Sequence, residues 1–271
     1  MENFNRKKHW EEIYENKPLE SVSWYQPTPE VSLHFINQSS LPKKAKIIDI
    51  GGGDSFLVDF LLKAGFEDIT VLDISSTAIE RAKKRLGNQA TKVKWIVSDI
   101  LDFVPDTPYD FWHDRATFHF LTARQEIERY IEIADQAIAV GGILVVGTFS
   151  EQRPTKCSGI TIKQYSAQSI SDLFQTYFRK IECIDIDHIT PFDTKQCFAV
   201  FAKSCYSRVE YFSRNRASLC RSNLPVCANF YWNFPIKVLP KHSISRVLPL
   251  NFSLRGSMNT PLLEEAHGKI V

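Results

Sequence analysis

Lys46-Ile47-Ile48-Asp49-Ile50-Gly51-Gly52-Gly53 decides the reading of this chain. A short isoleucine-rich run reads as a strand, and three consecutive glycines stop it. Glycine lets the backbone approach a ligand closely or adopt a conformation closed to other residues. Downstream, Ser55 to Lys63 has a helical pattern carried by Phe56, Val58, Phe60, Leu61 and Leu62, and Gly65 ends it. The alternation then repeats, with a strand over 68–73, a helix over 76–86 closed by Gly87, and strands over 93–97 and 109–114. A helix from Arg124 to Ala139, ended by Gly141-Gly142, leads to a strand over 143–149. Strand–helix alternation of this kind predicts right-handed crossovers and a parallel sheet covered on both faces, and the near-continuous apolar strands agree.

Upstream, Trp10, Ile13 and Tyr14 share one helical face, and Pro18 ends that helix. The aromatic loop Ser23-Trp24-Tyr25-Gln26-Pro27 follows. Thr28 can then cap a helix with Pro29 at its first position and Val31, Phe35 and Ile36 as its apolar stripe. At the other end, a helix over 169–177 precedes strands over 180–189 and 196–202, joined by a turn short enough for an antiparallel hairpin at a sheet edge. The expected fold class is therefore α/β, a Rossmann-like doubly wound seven-stranded sheet with a reversed last strand, plus an irregular C-terminal extension.

The composition sets bounds. The chain has 271 residues, 44% hydrophobic and 24% charged, which suits a globular domain rather than a coiled coil or a disordered polymer. The net charge of +2 conceals an asymmetry. Residues 1–203 carry 24 basic against 28 acidic groups, a net of −4, and residues 204–271 carry 9 against 3, a net of +6. The expected organisation is one domain over 1–203 and a basic, poorly ordered extension over 204–271, where the periodicity fails. An arm that folds on a partner is the alternative for that tail. The mildly acidic main body carries no footprint for nucleic acid. No apolar run is long enough for a membrane helix, and the opening residues lack the apolar core of a secretory signal. Six cysteines without a C-x-x-C pair predict neither a metal site nor a disulfide framework, and suggest free thiols in a reducing, cytoplasmic compartment. Oligomeric state is not legible.

Chemistry enters at the strand ends. A dinucleotide fingerprint would need glycine at position 56, which is Phe56, and no Gly-Lys-Ser/Thr phosphate loop is present. The glycine turn thus points to a nucleoside without a pyrophosphate. Asp73 ends the second strand about 20 residues on, where a carboxylate can accept both ribose hydroxyls; capping the next helix is its alternative role. Asp99, in Ser98-Asp99-Ile100, can accept the exocyclic amine of adenine while Ile100 covers the ring, or can be an ordinary solvated loop residue.

Taken in order, Asp49-x-Gly51-x-Gly53, Asp73 and Ser98-Asp99-Ile100 resemble the cofactor motifs of class I S-adenosylmethionine-dependent methyltransferases. Gly141-Gly142 and the late hairpin are similar to that family's corresponding features. The resemblance covers about residues 8–203. Trp112-His113-Asp114-Arg115-Ala116 and Cys157-Ser158-Gly159 resemble a bacterial-type subgroup of small methyltransferase-domain proteins. The opening Trp10…Tyr14…Trp24-Tyr25 is similar to members that methylate protein lysines, whose substrate residues do not otherwise map here. The resemblance implies S-adenosyl-L-methionine as cofactor. Its methionine would lie along Asp49, Gly51 and Gly53, with the backbone at His113 beside the ammonium. Its ribose would lie at Asp73 with Ile74 adjoining, and its adenine at Asp99 and Ile100.

Methyl transfer from a sulfonium is an in-line displacement that depends chiefly on alignment, with a base needed only where the nucleophile carries a proton. His113 and Asp114 are the candidate bases, and a purely structural role is the alternative for both. Trp24 and Tyr25, with Trp10, can roof an acceptor or serve as core packing. The loop over 150–165 offers Arg153 and Cys157 to the acceptor. The expected function is transfer of a methyl group to a small-molecule or protein side-chain acceptor. A catalytically inactive binding module of the same fold, using the basic tail, is the alternative.

Overall fold

The computed structural model describes residues 4–115, 117–151, 155–191 and 195–205, with Ile189 and 195–205 described by their backbone. Two helices open the fold, α1 (Arg6–Asn16) and α2 (Glu30–Gln38). The alternating part follows as β1 (Lys46–Ile50), α3 (Leu57–Lys63), β2 (Asp68–Asp73), α4 (Ser76–Leu86), β3 (Val93–Val97), β4 (Tyr109–Arg115), α5 (Arg124–Ala137) and β5 (Ile138–Phe149). A short hairpin, β6 (Lys156–Cys157) and β7 (Ile160–Thr161), precedes α6 (Ala167–Phe174), β8 (Phe178–Ile189) and β9 (Lys195–Cys205). The extension expected over 204–271 lies outside the described residues, apart from Ser204 and Cys205 at the end of β9.

The sheet runs β3-β2-β1-β4-β5-β9-β8. Its first five strands are parallel, with Asp49 opposite Val71 on one side and opposite His113 on the other. β9 runs antiparallel to both β5 and β8. Strand order reverses between β1 and β4, so a crevice opens at their carboxyl ends, beside the glycine turn. Both faces are covered. Ile48, Ile50, Trp112, Tyr130, Phe118 and Phe174 pack on one side, and Ile47, Phe35, Val58, Leu61, Phe111 and Phe149 on the other.

Several boundaries differ from the sequence reading. Thr28 does not cap α2; Pro29 occupies the cap position and the helix starts at Glu30. α3 begins at Leu57, because the chain needs residues 51–56 to turn out of the sheet. Gly141-Gly142 does not end α5, which stops at Ala137 where Ile138 adopts an extended conformation. The glycines lie inside β5, in an irregularity where pairing jumps from Tyr109↔Ile138 to Phe111↔Ile143. Gly141 takes φ +80° there, a conformation that favours glycine. The stretch read as loop over 150–165 contains the β6–β7 hairpin.

α1 lies against the strand ends, held by side chains from distant elements. Arg6 bridges Asp99 (3.0 Å) and Glu126 (2.6 Å). Arg81 Nη1 donates to the carbonyls of Tyr14 (2.8 Å) and Lys17 (2.9 Å). Glu11 accepts four hydrogen bonds at the start of α4, from Ser75 Oγ, Ser76 N, Ser76 Oγ and Thr77 N, at 2.7–3.0 Å. Burial alone would push that carboxyl up, but these bonds from Ser76, Ser75 and Thr77 outweigh it and hold it at about 2. The negative charge also faces the positive end of α4.

A depressed carboxyl stabilises the fold above its ordinary value near 4.5, and that contribution is lost as pH falls toward about 2. Glu11→Ala should therefore lower the melting temperature at pH 7, with the gap from the parent protein closing between about pH 4.5 and 2 in a thermal melt series. A gap independent of pH over that window contradicts this role for Glu11.

Candidate active site

The main cleft lies along the strand ends, from β3 across to β5. At the β3 end, Asp99 Oδ1 accepts from Leu101 N (3.0 Å) and Oδ2 from Arg6 Nη1 (3.0 Å), and Ile100 stands beside it in the cleft wall. Asp99 is thus an ion-paired residue rather than a solvated loop carboxylate. A carboxylate has about four lone-pair sites, so capacity remains for another donor.

At the β2 end, Asp73 is 4% exposed. Its Oδ1 accepts from Ser75 N (2.8 Å), while the side-chain cap of α4 is the Ser75 hydroxyl, accepting from Ala78 N (3.1 Å). The two readings of Asp73 therefore coexist: one oxygen turns the chain into α4, and Oδ2 faces Gly53 and the Tyr14 hydroxyl. A Cβ at Gly53 would come within 3.0 Å of that oxygen and 2.8 Å of the hydroxyl. Burial pushes the Asp73 carboxyl up to about 7, with the nearby charges of Asp54, Asp49 and Glu11 adding to the effect and the Ser75 N–H opposing it. Burial, and then the charge of Asp73, also holds the Tyr14 hydroxyl well above its usual range, so it remains a donor. Ile74 lines the cleft next to Asp73.

At the β1 end the glycine turn is crowded. Gly51 has φ +64°, and a Cβ there would collide with Thr117 Oγ1. A Cβ at Gly52 would lie 2.6 Å from Asp49 Oδ2 and 2.9 Å from Val71. Arg85 fixes the chain beyond the turn by donating to the Asp54 carbonyl (2.6 Å), the Ser55 carbonyl (2.8 Å) and the Asp59 carboxylate (2.7 and 3.1 Å).

β4 separates the two candidate bases. His113 is buried on the cleft side, with Nδ1 2.7 Å from Asp49 Oδ1 and Nε2 2.8 Å from Ser32 Oγ. An ionised carboxylate only accepts, so Nδ1 donates, and in the neutral ring Nε2 is left to accept from the Ser32 hydroxyl. Both nitrogens are thus engaged, Nδ1 with Asp49 and Nε2 with Ser32. Asp114 points through the sheet to the opposite side, as successive strand residues must. It is 0% exposed and accepts from Thr117 N (2.9 Å), Phe118 N (3.2 Å) and the Tyr130 hydroxyl (2.7 Å). The structure does not bring Asp114 to the main cleft: it braces the segment after β4.

At the β4–β5 end, Arg115 lines the cleft and donates to the Trp24 carbonyl (3.1 Å). Burial lowers its guanidinium to about 10, the charge of Asp49 opposing that shift, so it remains cationic at neutral pH. Trp24 and Tyr25 line the cleft, and Trp24 packs edge-on against Trp10 with centroids 5.7 Å apart. The two roles weighed for these rings are therefore compatible. His188 secures the same loop: Nε2 lies 2.7 Å from the Ser23 carbonyl and Nδ1 3.2 Å from Gln26 Nε2. Cys157 also lines the cleft, its thiol pushed up by burial and so kept protonated. Arg153 lies outside the described residues. His119 is buried against Phe120 and Phe149 and does not line the cleft. Sequence reasoning missed Arg6, Ser32 and Thr117, whose partners lie far along the chain, and read Tyr14 without its place beside Asp73.

The Asp114 network offers a direct check. The Tyr130 hydroxyl accepts from Trp112 Nε1 (3.0 Å) and donates to Asp114. Tyr130→Phe strands a buried indole N–H and a carboxylate oxygen, and should cost about 2–3 kcal/mol in denaturant unfolding. A loss below about 0.5 kcal/mol contradicts the bracing role.

Residues 47–142 match the model of the family described as a methyltransferase domain. The eEF1A lysine and N-terminal methyltransferase of Mus musculus is 26% identical over 146 residues, covering 53% of this chain and 20% of that relative. The chain thus matches about one fifth of that protein's length. A malonyl-acyl-carrier-protein O-methyltransferase of Anoxybacillus flavithermus is 32% identical over 108 residues, 39% of each chain. In fold, the chain is similar to the crystal structure of N-methyltransferase NodS from Bradyrhizobium japonicum WM9 in complex with S-adenosyl-L-homocysteine. The TM-score is 0.58 at 15% identity, covering 75% of this chain and 100% of that one. The match to the methyltransferase-domain model thus falls on residues 47–142, the stretch that carries the glycine turn and the buried carboxylates Asp49 and Asp73 at the ends of neighbouring strands.

Proposed function

We propose that this chain transfers a methyl group from S-adenosylmethionine to a small-molecule or protein side-chain acceptor, with the cofactor lying across the ends of β3, β2 and β1. The observation that carries this reading is the convergence of Asp73 Oδ2, Gly53 and the Tyr14 hydroxyl at the carboxyl ends of β1 and β2, beside the topological switch point. Asp73 would bind the ribose hydroxyls, and Asp99 with Ile100 the adenine. The methionine portion would lie along the backbone of the Gly51–Gly53 turn, of which Gly51 and Gly52 line the cleft, and Ile74 would adjoin the ribose. The reversed pairing of β9 completes the frame of this reading.

Bound there, the sulfonium supplies a methyl group on a neutral leaving group. The chain's own work is placement and exclusion of water. Asp49 is held by His113, which in turn meets Ser32, so the turn above it keeps one geometry. Trp10, Trp24 and Tyr25 close the cleft with apolar surface. In this reading His113 is a positioning residue and Asp114 a structural one. Neither takes a proton during transfer.

Titration calorimetry with S-adenosylhomocysteine tests the assignment. The ionised carboxylate is the stronger acceptor for two hydroxyls, and Asp73 ionises only near pH 7 in the free protein. Affinity should rise as pH increases through about 7. Asp73→Asn should weaken binding at least tenfold at pH 8, about 1.4 kcal/mol, and flatten the pH dependence. Unchanged affinity in Asp73→Asn overturns the placement of the ribose.

A further inference from the structure

The cofactor reading uses the ends of β3, β2 and β1, which leaves the part of the cleft over β4 and β5 for the acceptor. Arg115, Phe120, Phe149, Cys157, Trp24 and Tyr25 line that part. Two properties stand out there. Among the described residues Arg115 supplies the only formal charge. Of the three carboxylates of the cleft, Asp73 and Asp99 lie toward its other end, Asp99 held by Arg6, while Asp49, held by His113, is near enough for its charge to act on Arg115. The second property is that no described group there is placed to take a proton from a nucleophile. Cys157 stays a thiol, and both ring nitrogens of His188 are engaged with Ser23 and Gln26.

We infer that the acceptor is a carboxylate on an apolar or flat body, methylated on oxygen to give a methyl ester, with Arg115 as the group that binds it. The inference rests on the methyl-transfer reading above. A carboxylate is ionised at neutral pH and needs no base, and a guanidinium is the side chain best matched to its two oxygens. A lysine ammonium would meet a like charge and, among the described residues there, no group placed to deprotonate it. The aromatic walls suit an apolar or planar body behind the carboxylate. The step balances without a proton: a carboxylate oxygen pair forms the O–CH3 bond, and the methyl–sulfur bond breaks with its pair passing to sulfur. An anion and a sulfonium cation become a neutral ester and a neutral thioether, counting the reacting groups alone.

The full chain would be incubated with S-adenosyl-[methyl-³H]methionine and, separately, phenylacetate, cinnamate, octanoate and a cell extract, and the labelled products then treated with alkali. The inference expects label released as volatile methanol, because esters hydrolyse. Label that stays bound through alkali marks an N-, S-, C- or ether O-methyl product and overturns the inference while keeping the methyl-transfer reading. Failure of any label to transfer, with S-adenosylhomocysteine still bound, removes both. In parallel, Arg115→Gln should raise KM for the carboxylate at least tenfold and leave S-adenosylhomocysteine affinity within twofold, with Arg115→Lys intermediate. Loss of S-adenosylhomocysteine affinity with an unchanged acceptor KM assigns Arg115 to the cofactor's own carboxylate and overturns the inference.

Discussion

The turn at Gly51–Gly53 has no room for a side chain. Thr117 from beyond β4, Asp49 and Val71 from the strands beneath, and Tyr14 with Asp73 all close on the positions where Cβ atoms would stand. Thr117 Oγ1 also donates to the Ile50 carbonyl (3.2 Å), tying the segment after β4 to the end of β1. This crowding fixes where β1 ends relative to β2 and β4. It therefore fixes the spacing of Asp49, Asp73 and His113, and leaves the bare backbone of the turn as the cleft floor. The rest of the site depends on that close approach.

Around it the fold arranges buried charge in matched sets. Four carboxylates, Asp49, Asp54, Asp73 and Asp99, lie near the carboxyl edge of the sheet. Left alone they would repel one another and resist ionisation. Positive groups from the helices answer them. Arg6 of α1 meets Asp99, Arg81 of α4 lies 3.1 Å from Asp54, and Arg85 of α4 grips the backbone just past the turn. Asp73 accepts a backbone N–H and, among the described residues, pairs with no such cation; burial first, and then the charges of Asp54, Asp49 and Glu11, push its carboxyl up to about 7. A group poised in this way gains most from a ligand that donates hydrogen bonds. Farther along the cleft, at the end of β4, stands Arg115, a cation on which the charge of Asp49 also acts.

How much of this was legible follows from which signals are local. The strand–turn–helix alternation is local, so the parallel sheet and the order Asp49, Asp73, Asp99 could be read directly. The face on which a residue stands was not. Phe111-Trp112-His113-Asp114 is buried on both sides of the sheet, so it lacks the polar–apolar alternation that would separate the cleft-facing histidine from the core-facing aspartate. The tethers of α1 were likewise invisible, since Arg6 meets a partner 120 residues away and Glu11 partners 64–66 away. The double glycine misled because it reads as a helix stop when its role is to let β5 bulge opposite Asp110.

A crystal structure of the full chain with S-adenosylhomocysteine bound tests the central claim most directly. The account predicts ribose hydroxyls within hydrogen-bonding distance of Asp73 Oδ2, adenine against Ile100, and the amino-acid portion over the backbone of Gly51–Gly53, its sulfur turned toward the β4–β5 end. A nucleoside seated away from Asp73, or a turn that moves aside to admit it, would contradict the account.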